Sequence, residues 1–207
     1  MYLWQRGDYR QARVLVERAL AIREAHLVSD HPHTARSLNC LGCILDQQGD
    51  PQNAAALHER VLAIREARLD ANDFNTGFDL GESLHNLAWN LRDRGNLQRA
   101  RILGERAVSL TEASLGPDHP FTAVVLAGFA HILHEGDLAG ARAHHERALV
   151  IFEASVGPDH PFIPRMLDNL GAVLAAQGDL EGARSLHERA LRIREAHLPP
   201  NDPETVR

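Results

Sequence analysis

The chain has 207 residues, 44% of them hydrophobic and only 5% aromatic, with a formal net charge of −6. That much apolar content excludes a disordered chain, and its Ala- and Leu-rich character favours helices. All 22 basic residues are Arg, scattered through an acidic sequence, which excludes the concentrated positive surface that nucleic-acid binding needs.

The first predicted element is a helix in "GDYRQARVLVERALAIREAHL", which opens at Gly7. The phrase recurs as "GDPQNAAALHERVLAIREARL" from Gly49, "GNLQRARILGERAVSLTEASL" from Gly95, "GDLAGARAHHERALVIFEASV" from Gly136 and "GDLEGARSLHERALRIREAHL" from Gly178. The glycine spacings are 42, 46, 41 and 42 residues, so the chain is a repeat array. Within a copy, Ala54, Leu57, His58, Val61, Leu62 and Ile64 recur at three- and four-residue steps, the spacing of one helix face. The glycine suits a left-handed helix stop, and the Asp or Asn after it suits a turn and an N-cap.

A second apolar pattern lies between these helices: Leu38, Leu41, Leu45; Leu84, Leu87, Leu91; Leu126, Phe129, Leu133; Leu167, Leu170, Leu174. A small residue follows each middle member, at Gly42, Ala88, Ala130 and Gly171, and would let a neighbouring helix approach. Each unit is therefore expected to be a helix A, a glycine-containing turn and a helix B. The expected units are roughly 1–28 (partial), 29–70, 71–115, 116–156 and 157–198, with a tail at 199–207, all in one array.

This order of Leu, Leu-Gly or Leu-Ala, Leu, Gly, Ala and Ala resembles the tetratricopeptide repeat over essentially the whole chain. The long period and the phrase "ALAIREAHL…DHPxTA…LxxLG" resemble the branch found in kinesin light chains and in the sensor arms of bacterial signalling ATPases. The resemblance implies an all-α, right-handed solenoid of antiparallel helix pairs, with helices A lining a concave groove. The sequence departs from the pattern in four places. The first helix A is cut to "MYLWQR". The loop Asp70–Gly77 carries about four extra residues, with "TGF" in place of "DHP". One unit is a residue short near His134 and Glu135. The chain ends at "PPNDPETVR", where another helix A would begin.

Several fragments look like chemistry. "DHP" stands at 30–32, 118–120 and 159–161, and an Asp-His pair could serve acid-base or metal chemistry. Its place between helix B and the next helix A marks it instead as a helix start, with Pro in the first turn and Asp or His as cap. "CLGC", Cys40 to Cys43, lies in mid-helix without the second pair that zinc would need, so these cysteines read as small apolar residues. His131, His134, His144 and His145 cluster, but His145 matches His58 and His187, where the resemblance implies a ring in the helix seam. No phosphate loop or nucleophile motif is present. The chain is expected to be non-enzymatic, with no cofactor, no metal and no catalytic residue. The repeated Glu-Arg pairs, such as Glu59-Arg60 and Glu146-Arg147, are expected to pair with neighbouring turns or units on the solvent face.

The expected peptide groove follows from helical position, counting two and five residues either side of each middle apolar residue. It contains Arg36, Asn39, Cys43 and Asp46; Glu82, His85, Trp89 and Arg92; Val124, Ala127, His131 and His134; Arg165, Asp168, Ala172 and Ala175. Asn86 and Asn169 match the Asn with which resembling proteins hold a ligand backbone, while Cys40 and Gly128 interrupt that row. Trp89, beside Arg92 and a turn from His85, is the leading anchor candidate. The expected partner is a protein or peptide segment of acidic or amphipathic character, read by Arg36, Arg92 and Arg165. An alternative is a regulatory arm of a larger signalling ATPase, or a segment that self-associates through exposed array ends. Neither nucleic acid nor membrane is an expected partner. No run of about 18 apolar residues occurs, and "MYLWQRGDYR" lacks a signal pattern. With two cysteines, the expected location is a reducing cytoplasm.

Overall fold

A computed structural model describes residues 9–28, 30–68 and 74–197. The expectations for "MYLWQR", for residues 70–73 and for the tail 199–207 lie outside the described residues. The described residues form α-helices and no strand: α1 (Tyr9–His26), α2 (Pro32–Gln47), α3 (Pro51–Glu66), α4 (Phe74–Asp93), α5 (Leu97–Leu115), α6 (Pro120–Leu133), α7 (Leu138–Val156), α8 (Ile163–Ala176) and α9 (Leu180–His197). The fold is all-α, as the sequence pattern predicts. Two compact units divide the chain, Met1–Leu110 and Thr111–Arg207.

In the first unit, α2 packs on α1 and α3, α3 packs on α4, and α2 also touches α4. Leu38, Ile44, Leu84 and Leu87 are fully buried, so the leucines that define the A pattern form the core. In the second unit, α6 packs on α7, α7 on α8 and α8 on α9, around buried Leu126, Leu167 and Val173.

The punctuation works as the sequence predicts. Gly49, Gly95 and Gly178 have φ near +77° to +87°, which glycine adopts without penalty. The N–H of Asp50, Asn96 and Asp179 then reaches back five residues, to the carbonyls of Leu45, Leu91 and Leu174, a Schellman closure. In the short unit the N–H of Asp137 reaches back four, to the carbonyl of Leu133, and Gly136 has no positive φ. One residue fewer removes the need for the left-handed step. Asp50, Asn96, Asp137 and Asp179 each accept a bond from the backbone N–H three residues on, which caps the following helix B.

At the "DHP" phrases the histidine, rather than the aspartate, is the cap. His31 Nδ1 accepts from His33 N–H at 3.0 Å, and His119 Nδ1 from Phe121 N–H at 3.1 Å. His160 makes the same bond to Phe162 N–H at 3.3 Å, yet α8 starts only at Ile163. The reason is Pro164. Ala35 and Ala123 close the first helical turn by donating to His31 and His119, and a proline at that position has no N–H to donate. A second departure is α4, which already runs through residues 74–77, where the sequence suggests a loop.

Gly42 and Gly171 confirm the close-approach reading. A methyl at Gly42 would lie 2.7 Å from the His58 ring, and one at Gly171 would lie 2.8 Å from the His187 ring. The rings differ in freedom, since the His58 side chain is 0% exposed and that of His187 48%. Ala gains about 1 kcal/mol over Gly in a helix. Gly171→Ala is therefore expected to be near neutral, because its ring can swing aside. Gly42→Ala is expected to cost about 2 kcal/mol net from overpacking. Urea unfolding of the two variants checks the contrast.

Candidate peptide-binding face

In the first unit α2 and α4 lie side by side with α3 against both. Nine of the predicted groove residues fall on these two helices: Arg36, Asn39, Cys43, Asp46, Glu82, His85, Asn86, Trp89 and Arg92. Asn86 Nδ2 donates to Asn39 Oδ1 at 3.0 Å and to Cys43 Sγ at 3.6 Å, and Asn39 is buried. The two asparagines thus join the A helices, and the Asn86 amide protons are already engaged by the chain itself. Asp46 is similarly held, accepting from His58 Nε2 at 2.9 Å and from Asn90 Nδ2 at 2.7 Å.

His85, Trp89 and Arg92 form one stack along α4. The Arg92 guanidinium sits 3.9 Å from the Trp89 ring centre, and the His85 ring lies 6.4 Å from Trp89 on the same helix. Arg92 also pairs with Asp93, so part of its charge is answered locally. Burial pushes His85 down to about 4, which keeps its ring neutral at pH 7. Arg36 is exposed on α2.

Burial also decides the cysteine question. It raises the Cys40 thiol, with the Glu82 carboxylate adding to the effect, and pushes Cys43 up to about 12. Thiols so placed stay protonated and unreactive.

Beside Arg36 the surface opens into a cavity of about 350 Å³ between α1 and α2, lined by Leu15, Val16, Ala19, Arg23, Arg36 and Cys40 among others. By repeat register these match Leu57, His58, Val61, Arg65, Glu82 and Asn86. That second set is the surface on which α2 itself lies. Leu38 packs on Val61 and Leu57, Gly42 abuts His58, and Asn39 meets Asn86. The cavity is thus shaped like the seat of a helix A.

The second unit carries the remaining predicted positions. Arg165 is exposed on α8. Asp168 is held by His187 Nδ1 at 2.9 Å and by Arg194. Asn169 is half-buried, and so is His131, whose ring meets His145 edge-on at 5.0 Å. His144 stacks edge-on with Phe129 and bonds the Gly140 carbonyl at 2.7 Å. The histidine cluster is thus packed into the seam between α6 and α7. Among the described residues, no group of three or more potential ligands could hold a metal ion.

Sequence reasoning missed one buried polar device. Arg65, only 7% exposed, reaches from α3 to α4. Its Nη1 donates to the Asp79 carbonyl at 2.6 Å and to Ser83 Oγ at 2.7 Å, and its Nη2 to Glu82 at 3.0 Å. Arg23 repeats this one unit earlier, donating to the His33 carbonyl at 3.0 Å and to Ser37 Oγ. The signal was present in the sequence: "IREA" places Arg sixteen residues after the unit glycine at Arg23, Arg65 and Arg194, with Thr111 and Phe152 in the other copies.

Profiles of the tetratricopeptide repeat match residues 1–67 and 128–196, and residues 80–121. A kinesin-light-chain-type protein of Podosopora anserina with nearly identical TPR-like repeats is similar at 25% identity, over 94% of this chain and 91% of that one, with a TM-score of 0.74. BtubC (BKLC) from P. vanneervenii is similar at 27% identity, over 97% of this chain and 79% of that one, with a TM-score of 0.75. The apo form of RapI, at 19% identity over 95% of this chain and 68% of that one, shares the fold, with a TM-score of 0.75. No curated protein matches the chain.

Proposed function

We propose a function from a settled premise: the chain belongs to the tetratricopeptide repeat family, in its kinesin-light-chain-like form. Proteins of this fold serve as interaction scaffolds, and the proposed role is a non-enzymatic scaffold for a partner protein. Its A-helix face takes a peptide or helical segment, with the cavity between α1 and α2 as one seat and the stack on α4 as another. The observation that carries this reading is the cavity, because its walls repeat the surface on which α2 already lies. An amphipathic helix lays its apolar side into such a seat. Arg36 at the rim favours a segment with acidic residues on its outer side. Trp89 offers a flat, rigid anchor that Arg92 holds in place.

The test is capture of a partner with the wild-type chain beside Arg36→Glu and Trp89→Ala chains, followed by titration of the captured segment. Trp89→Ala is expected to weaken binding by about thirtyfold, the scale of an aromatic hot spot. Arg36→Glu is expected to slow association and to remove its salt dependence. Unchanged affinity in both variants would exclude this face.

A further inference from the structure

We draw no further inference here: the strongest candidate, the apolar knob at the α7–α8 joint, where Phe162 stands 62% exposed against the His160 ring near exposed Val156, carries nothing, because nothing in the structure shows what covers it.

Discussion

Replacing Arg65 with Ala is expected to lower the unfolding free energy of the Met1–Leu110 unit by about 3 kcal/mol, the lower end for breaking a buried ion pair. The guanidinium makes hydrogen bonds to a carbonyl, a hydroxyl and a carboxylate across the α3–α4 seam. Truncation leaves a void there and strips Ser83, which is buried, of its charged donor. Asp79 and Glu82 are 46% and 31% exposed, so water can re-solvate them. That keeps the loss near the lower end. The chain also contains its own apolar solution to the same junction. At the equivalent positions of the second unit stand Phe152 and Met166. The double change Arg65→Phe with Ser83→Met is therefore expected to recover at least half of the loss, since well-packed apolar groups can replace a buried ion pair. Urea unfolding followed by tryptophan fluorescence is a direct readout, because Trp89 stands on α4, the helix that Arg65 ties to α3. A cost below about 1 kcal/mol would mean that the seam is held by leucine packing alone.

The same arginine shows what a sequence discloses and what it withholds. Helix positions, glycine stops and caps were readable because each depends on one residue and its near neighbours. The Gly42–His58 approach was readable because two columns of the repeat, one small and one ringed, lie at a fixed offset. The late start of α8 rests on a single Pro164, visible in the sequence but meaningful only once the first-turn bonds of α2 and α6 are known. Arg65 was hidden for a different reason. It sits within a run of charged residues that reads as solvent-facing, and its burial depends on a serine in another helix, Ser83, at a separation of 18 residues. Groove positions follow from helical geometry, but availability does not. Asn86 and Asp168 occupy expected groove positions, yet each is already bonded within the chain. Arg36 and Trp89 keep their place at the front of the candidate face because the packing leaves Arg36 exposed and holds Trp89 against Arg92.

Acid is expected to loosen the Thr111–Arg207 unit through His145, and His145→Phe is expected to remove that sensitivity. Burial, reinforced by His131, His134 and His144, pushes His145 down to about 4 from an ordinary 6.5. The folded state therefore binds this proton less readily than the unfolded state. Its stabilising contribution is complete above pH 6.5 and is lost progressively as pH falls towards 4. Over that window the loss is about 3 kcal/mol, because each pH unit between the two values is worth about 1.36 kcal/mol. The ring is 2% exposed and its Nδ1 has no hydrogen-bond partner, so a neutral, unsatisfied nitrogen is buried even at pH 7. Phe keeps the ring against His131 and removes that atom. The variant is expected to be equal to or more stable than wild type at neutral pH. Its stability should then fall less steeply between pH 6.5 and 4, the difference growing to about 3 kcal/mol. Hydrogen exchange of the α7 backbone, measured across that pH range and corrected for intrinsic rates, localises the effect. Identical pH slopes for wild type and His145→Phe would show that other groups set the acid limit of this unit.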